Sequence, residues 1–261
     1  MPDPTPAGPW LEPYRDLKGR SARRDPFPWA ICEGAYLVES ALAEARSGRL
    51  RVVSVLVPEG LEGPWAGRLA PGTALIPLPG PELQALVGFP FHRGVLACVE
   101  PPPERPLADL QACSRLLVLP RVDQEENLGL LLRTAAALGM EGVLLGAGVS
   151  PWARRSVRTS MGGVFRIPLW RREDPAEALS AWQARGGETV AAALGPGCEP
   201  ARGWQPGPRT ALLLGHEDRG LDPAWLGRAQ RRIAIPMQRD MDSLNVAAAG
   251  AILMARLCGA T

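Results

Sequence analysis

The second half of the chain alternates short apolar runs with segments in which apolar residues recur at helical spacing. Short apolar runs bounded by turn residues predict strands. We predict strands at SRLLVLP, EGVLLG, ETVAAAL, RTALLLG and RRIAIPM, with helices between most of them and a final helix. This alternation predicts an α/β fold whose mostly parallel sheet is covered by helices on both faces. Ligands of such sheets bind beyond the carboxyl ends of the strands.

A smaller α/β unit is predicted before residue 100. Its strands are predicted at WAICEG, RVVSVLVP, TALIPLP and RGVLACVE, and its helices at AYLVESALAEARSG and PELQALVG. The prolines at 101–103 cannot continue a helix or a strand, and they make a semi-rigid spacer. We therefore predict an N-terminal domain over residues 1–103, a proline-rich linker over 104–112 and a second domain over 113–261. Residues 1–25 include a basic segment that we expect to be mobile.

Composition narrows the class of protein. The 261 residues are 46% hydrophobic, which is typical of a globular chain with a sizeable core. We find no apolar run of about 18 residues and no secretion signal in MPDPTPAGPW, so we expect a cytoplasmic protein without a membrane segment. The five cysteines are scattered and form no Cys-x-x-Cys pair. They favour reduced thiols over disulfides or a zinc site, and we expect no metal.

Charge points to anion binding. The net charge is only +2, but Lys18 is the single lysine and every other cation is arginine, whose planar fork holds phosphate well. Two segments concentrate these cations. The first contains Arg15, Lys18, Arg20, Arg23 and Arg24, and the second contains Arg154, Arg155, Arg158, Arg166, Arg171 and Arg172. The second cluster is either a phosphate-binding surface or a solvated face, and the sequence leaves both open.

The first junction that suggests chemistry is ENLGLLLRTAAALG. Asn127 could cap this helix and Gly139 could end it. Arg133 interrupts an apolar segment and would lean over Gly129 toward the helix N-terminus, which favours anions. The pattern predicts either a phosphate site or a capped helix with one arginine reaching solvent.

The second junction is ALLLGHEDRGLDPAWL. Glu217 follows an apolar strand, and the glycines at 215 and 220 would let a ligand approach the backbone. Asp222 and Pro223 predict the start of the next helix. Within this half of the chain, His216 has no second histidine with which to bind a metal.

The third junction is IPMQRDMDSLNVAAAGAILMARL. Asp242 or Ser243 could cap the last helix, and we expect Asn245 in its first turn. The small residues over 247–251 permit close backbone approach, either within the fold or to a partner helix. The chain carries neither the phosphate-binding G-x-x-x-x-G-K-[ST] motif nor a G-x-G-x-x-G after its first strand, which disfavours a dinucleotide-dependent oxidoreductase.

Taken in order, the three junctions resemble a known family. The patterns N-x-G-x(3)-R-x-A-x(3)-G, L-G-x-E-x-x-G-L and I-P-M-x(5)-S-L-N-V are similar to the motifs of the SpoU ribose 2′-O-methyltransferases, members of the SPOUT class. The resemblance implies a deep trefoil knot, S-adenosylmethionine as cofactor, an RNA substrate (rRNA or tRNA) and a homodimer. ICEGAYLVESAL and FHRGVLACV resemble the L30e-like substrate-binding domain that many members carry.

The resemblance also implies roles for single residues. The catalytic residues it implies are Arg133, Asn127, Glu217, Ser243 and Asn245. The implied cofactor-binding residues are Leu194, Gly215, Ile235, Met237 and Leu244. Arg133 would clamp the phosphate beside the target hydroxyl, and the hydroxyl proton would pass either to that phosphate or to a transiently neutral Arg133. The asparagines would orient the ribose and Arg133, and Glu217 would fix the loop. The RNA-binding residues we predict are Arg15, Lys18, Arg20, Arg23, Arg24, Arg154, Arg155 and Arg158.

Two of the motifs depart from the family pattern. Many members have D-P-x-N in the first motif, where this chain has Gln124, Glu125 and Glu126 before Asn127. The second motif commonly has Asn or Ser in place of His216. An inactive RNA-binding assembly factor is the alternative function, although it would not need all five implied catalytic residues. The sequence does not identify the target nucleotide.

Overall fold

A computed structural model describes residues 10–19, 28–91, 94–239 and 241–260. Its strands are β1 (Ala30–Glu33), β2 (Arg51–Pro58), β3 (Ala74–Leu78), β4 (Leu96–Glu100), β5 (Arg115–Val122), β6 (Gly142–Gly148), β7 (Leu169–Arg171), β8 (Glu188–Ala192), β9 (Glu199–Pro200), β10 (Thr210–Leu213) and β11 (Arg231–Ala234). The α-helices with both ends described are α1 (Ala35–Arg46), α2 (Gly63–Ala66), α3 (Gly80–Val87), α4 (Leu107–Leu110), α5 (Glu125–Leu138), α6 (Arg154–Ser160), α7 (Ala176–Gln183), α8 (Pro223–Arg228) and α9 (Val246–Leu257).

The described residues form two compact units. One holds the residues up to Pro103 together with Trp152–Phe165, and the other holds Glu104–Pro151 and the chain from Arg166 onward. The sequence predicted a single unit over 113–261, so the placement of Trp152–Phe165 differs from that expectation.

The second unit is built on the sheet that the apolar runs predict. Its strand order is β7-β6-β5-β10-β8-β11-β9, and every neighbouring pair is parallel, which confirms the predicted α/β architecture. Leu116, Leu117 and Val118 on β5 are fully buried, as expected for a strand covered on both faces. Strands β7 and β9 were not predicted, because they are too short to show a pattern. The knot that the resemblance implies stays a prediction.

Helix α5 ends as predicted but begins differently. Gly139 follows its last residue with a φ of 81°, the left-handed conformation that glycine adopts without strain. The predicted cap at Asn127 is wrong, because the helix starts at Glu125 and Gln124 occupies the cap position. Asn127 lies in the first turn and is buried, which leaves its amide available for contacts across the site.

Helix α9 shows why the end of the chain is rich in small residues. It packs on α5, and a Cβ added to Gly250 would lie 2.6 Å from Leu131 Cδ2 and 2.8 Å from Leu214 Cδ1. The close approach is therefore made within the chain's own fold. The caps predicted at Asp242 or Ser243 are wrong, since Asn245 Oδ1 accepts a hydrogen bond from the Ala247 N–H at 2.8 Å.

The first unit contains a four-stranded mixed sheet in the order β1-β4-β2-β3. Strand β4 is antiparallel to β1 and β2, and β2 is parallel to β3. Helix α6 packs against β1. Arg154 Nη1 lies 2.9 Å from the buried carboxylate of Glu33, and its guanidinium lies 4.9 Å from the centre of the Phe89 ring. A buried carboxylate needs such a partner, which accounts for the attachment of this segment to the first unit.

Residues 10–19 of the basic segment pack into the first unit, and the mobility expected over residues 1–25 stays a prediction. Tyr14 is fully buried and Leu17 nearly so. The Tyr14 hydroxyl lies 3.0 Å from the Ser54 carbonyl oxygen and 2.9 Å from Ser54 Oγ. Burial raises the pKa of Tyr14 well above its usual value, so the hydroxyl keeps its hydrogen.

We expect Tyr14→Phe to lower the free energy of unfolding by about 1–2 kcal/mol, because it leaves buried acceptors on Ser54 without a donor. Tyr36, the other tyrosine of the chain, is 54% exposed, and Tyr36→Phe is the matched control with an expected change within about 0.5 kcal/mol. Urea unfolding measures both variants. Equal effects of the two substitutions would mean that Tyr14 does not anchor the segment.

Candidate functional site

The site lies where two neighbouring parallel strands end. The loop after β5, the loop after β10 and the N-terminus of α9 meet at the carboxyl edge of the second unit's sheet, and they carry the three sequence motifs. Helix α8 starts as predicted, with Asp222 Oδ1 accepting from the Trp225 N–H at 3.1 Å.

The Glu217 carboxylate joins the first two loops. Its Oε2 accepts from the Asp123 N–H at 3.3 Å, and its Oε1 accepts from the Gln124 N–H at 3.0 Å. Oε1 also accepts from Asn127 Nδ2 at 3.3 Å. Only 5% of the side chain is exposed. Because these donors occupy the carboxylate, Glu217 is arranged to hold the loops and not to remove a proton.

A row of amides extends this link to the last helix. Asn127 Oδ1 accepts from Asn245 Nδ2 at 3.0 Å, and Asn127 Nδ2 lies 3.1 Å from Gln124 Oε1. Asn245 Oδ1 is in turn held by the Ala247 N–H. A continuous series of hydrogen bonds therefore connects the loop after β10, helix α5 and helix α9, and it fixes which way each amide faces.

A histidine and an aspartate also link the same loops. His216 Nε2 lies 3.1 Å from Asp123 Oδ2, which Arg121 Nε also contacts at 2.9 Å. Burial acts to raise the pKa of the Asp123 carboxyl, but the hydrogen bonds from Arg121 and His216 outweigh it and leave that pKa below its usual value. Asp123 and Gln124 were not among the predicted site residues. Their position directly after a buried strand is the signal that could have found them.

A cavity of about 430 Å³ opens beside this network. That volume suits a small organic ligand. The cavity is lined by all the residues predicted to bind the cofactor, namely Leu194, Gly215, Ile235, Met237 and Leu244. Glu217 and Ser243 also line it. Ser243 is exposed, so its hydroxyl belongs to the cavity wall and not to a helix cap.

Gly215 allows the loop after β10 to fold back on itself. A Cβ at this position would lie 2.1 Å from the carbonyl carbon of Gly220 and 2.2 Å from the Leu221 nitrogen. The His216 and Gly220 backbones exchange hydrogen bonds of 2.9 Å in both directions. The glycine therefore permits the tight loop that presents His216 and Glu217.

The structure does not bring Arg133 to this network. Arg133 is exposed and forms no hydrogen bond or ion pair with any described residue. It lies six residues after Asn127 on α5, which places it about 120° away around the helix axis. Within one chain, the predicted phosphate clamp and the amides it would serve are thus separate.

The predicted RNA-binding arginines occupy different environments. Arg15 and Lys18 are exposed, whereas Arg20, Arg23 and Arg24 lie outside the described residues. Arg154 is held by Glu33 with only 15% of its side chain exposed, and Arg158 lies 3.9 Å from the same carboxylate. Arg155 is exposed. The second arginine cluster is divided between the two units, so it is not one continuous surface of either unit.

The described residues include no group of three or more His, Cys, Asp or Glu that could hold a metal ion. No helix in the described ranges is long and apolar enough to cross a membrane.

Comparison with known proteins places these motifs in a family. A profile of the SpoU rRNA Methylase family matches residues 114–255. An uncharacterized tRNA/rRNA methyltransferase of Mycobacterium tuberculosis H37Rv is 34% identical over 95% of this chain and 88% of its own. The 23S rRNA (guanosine(2553)-2'-O)-methyltransferase RlmP of Bacillus subtilis is 29% identical over 88% of both chains. An AdoMet-bound rRNA methyltransferase structure from Sinorhizobium meliloti has a TM-score of 0.77 at 26% identity, over 97% of this chain and 95% of that chain.

We expect Gly215→Ala to lower the free energy of unfolding by about 2 kcal/mol or more, because the added methyl group meets backbone atoms that cannot turn aside. Gly227→Ala is the matched control. Gly227 lies inside α8 with no atom near its absent Cβ, so alanine should raise stability by up to about 1 kcal/mol. Urea unfolding checks both variants. A neutral Gly215→Ala would contradict the tight-loop geometry.

Proposed function

The chain belongs to the SpoU rRNA Methylase family, and we propose that it transfers a methyl group from S-adenosylmethionine to a ribose 2′-hydroxyl of structured rRNA or tRNA. One observation carries the proposal: the hydrogen-bonded series Glu217–Asn127–Asn245 joins all three motifs beside one cavity. The reaction would take place in the cytoplasm.

The cavity fits the cofactor. The predicted contacts lie on its wall, and Gly215, which has no side chain, lines it with backbone. Apolar side chains such as Leu194 and Leu244 suit an adenine ring, while Ser243 and Asp242 supply polar groups. When bound, S-adenosylmethionine supplies an activated methyl group on a positively charged sulfur.

The protein's own residues align the acceptor. Asn127 and Asn245 hold each other and are fixed by Glu217 and the Ala247 N–H, so their orientation is set before RNA binds. We assign Arg133 to the phosphate beside the target ribose. Arginine stays protonated throughout the physiological pH range, so we infer that the hydroxyl proton leaves to a phosphate oxygen.

The separation of Arg133 from the amides supports a homodimer. In this proposal, Arg133 of one subunit acts at the amides of the other. Helix α9 offers an apolar face for the contact: Ile252 is 45% exposed, and Ala251 and Ala255 border a concavity of about 530 Å³ with Ile235 and Pro236. Exposed apolar surface of this kind marks protein interaction sites.

We assign recruitment of RNA to the first unit and its basic segment. Tyr14 and Leu17 anchor residues 10–19, which leaves the Arg15 and Lys18 side chains facing solvent. We take the L30e-like character of this unit, and its role as the substrate-binding domain, from the family resemblance. Deleting residues up to 103 would uncover the face of α6 that packs on β1, so point variants are the better probe of RNA binding.

The overall test is methyl transfer itself. Purified protein, S-adenosylmethionine and total RNA from a strain lacking the gene are incubated, and 2′-O-methyl positions are mapped. A new methylated ribose at one site is expected. An inactive assembly factor would instead bind RNA without binding S-adenosylmethionine in calorimetry, and that outcome would overturn the proposal.

We expect Arg133→Ala to fold and to bind S-adenosylmethionine normally while methyl transfer falls about 100-fold or more, because a transition-state contact is lost. Arg185→Ala, which removes another exposed arginine of the same unit, is the control and should keep wild-type activity. Activity of Arg133→Ala within a few-fold of wild type would remove Arg133 from the mechanism.

A mixing experiment tests the use of Arg133 across subunits. If the arginine and the amides come from different subunits, refolding Arg133→Ala together with Asn245→Ala gives heterodimers in which one of two sites is complete. Random pairing then restores about a quarter of wild-type activity. If Arg133 acts within its own chain, each site of the heterodimer lacks one group and the mixture stays inactive.

The basic segment should contribute to RNA affinity through counterion release. We expect the double variant Arg15→Gln/Lys18→Gln to weaken RNA binding. The slope of log affinity against log salt concentration should become shallower by up to about two, because up to two phosphate contacts are lost. Arg46→Gln/Arg185→Gln removes the same charge from other exposed positions and is the control. Filter binding across a salt series measures both variants. Equal slopes would place RNA recognition elsewhere.

A further inference from the structure

His216 has hydrogen-bond partners on both ring nitrogens. Nδ1 accepts from the Asp218 N–H at 3.1 Å, and Nε2 lies 3.1 Å from Asp123 Oδ2. A hydrogen on Nδ1 would point at the hydrogen of the Asp218 amide, so Nδ1 must keep its lone pair. The neutral ring therefore carries its hydrogen on Nε2, where a carboxylate accepts it. The contacts thus select one tautomer.

That Nε2–H lies between two carboxylates. It is 3.1 Å from Asp123 Oδ2 and 3.7 Å from Glu217 Oε2. The two acids sit on adjoining loops, because the Asp123 N–H itself donates to Glu217 Oε2. Two carboxylates that both lie this close to one imidazole repel each other, and each competes for nearby hydrogen-bond donors. The imidazole offsets this repulsion from one side of Asp123, and Arg121 Nε offsets it from the other at 2.9 Å.

The ring is also held rigidly by its own backbone. The His216 N–H and carbonyl pair with Gly220, and only 11% of the side chain is exposed. Since Glu217 is the next residue, the link from His216 to Asp123 helps to decide where the Glu217 carboxylate points. Glu217 in turn orients Asn127, and Asn127 holds Asn245.

We infer that His216, as its Nε2–H tautomer, is a positioning residue for the methyl transfer: it ties the loop after β10 to Asp123 and so keeps Glu217 directed at Asn127. The predicted fall in kcat rests on the proposed function, whereas the predicted orientation of Asn127 rests on the structure alone. It predicts that the imidazole N–H, and not ring shape, is what the site requires.

The test compares His216→Gln, His216→Phe and His216→Ala in the full chain. Glutamine can place an N–H near the Nε2 position, phenylalanine keeps a ring without a donor, and alanine removes both. His92 is the only other histidine, so a His92→Gln spectrum assigns the His216 signals in nitrogen-15 NMR. Thermal unfolding reports whether each variant is folded.

We expect wild-type His216 to show a hydrogen on Nε2 and none on Nδ1. In His216→Phe and His216→Ala the side-chain amide signals of Asn127 should shift, and kcat should fall about 10-fold or more with the KM for RNA within about threefold, as is usual for partners that orient a site residue. His216→Gln should recover most of the wild-type kcat and bring the Asn127 signals back toward their wild-type positions.

Two results would overturn the inference. One is a hydrogen on Nδ1 in the wild-type protein, and the other is His216→Phe with unchanged Asn127 signals and kcat. If the wild-type protein transferred no methyl group, the proposed function would fail, and the NMR comparison would still decide whether His216 positions Asn127. If His216→Ala did not fold, the glutamine and phenylalanine variants would decide the outcome.

Discussion

The geometry of the site depends on the hydrogen bonds made to one buried carboxylate. Glu217 is nearly excluded from solvent, and a carboxylate in that position is tolerated only when donors surround it. The donors come from the loop after β5 and from helix α5, which lie far away in sequence and are brought near only because β5 and β10 are neighbours in the sheet. Because Glu217 requires these hydrogen bonds, the neighbouring positions of β5 and β10 in the sheet fix how their loops are arranged.

Two glycines let the rest of the chain reach that arrangement. Gly215 lets the loop after β10 close on Gly220, and Gly250 lets α9 lie against Leu131 and Leu214. A larger side chain at either position would move the element that carries Glu217 or Asn245. The close packing of these elements thus also sets the positions of the site residues. We therefore expect substitutions that loosen the packing of α9 to displace Asn245 before they unfold the domain.

Much of this could be predicted from the sequence, because strands, helices and loop junctions have local signals. The parallel sheet follows from alternating apolar segments, the helix start at Asp222 from its capping chemistry, and the end of α5 from Gly139. The contacts that could not be predicted are not local. Arg154 meets Glu33 across 121 residues, and Tyr14 meets Ser54 across 40, so neither pairing leaves a trace in its neighbouring sequence.

Competition between neighbouring residues for the N-cap position explains the remaining differences between predicted and observed helix starts. Asn127 and Asn245 both lie near helix starts, and capping propensity favours either as an N-cap. The fold uses Asn245 as the cap because its Oδ1 faces the Ala247 N–H, and its Nδ2 then remains free to reach Asn127. Asn127 is displaced into the first turn by Glu125 and Glu126, whose charges favour a helix N-terminus. Asn127 therefore presents its amide from the first turn of α5, toward Glu217 and the last helix.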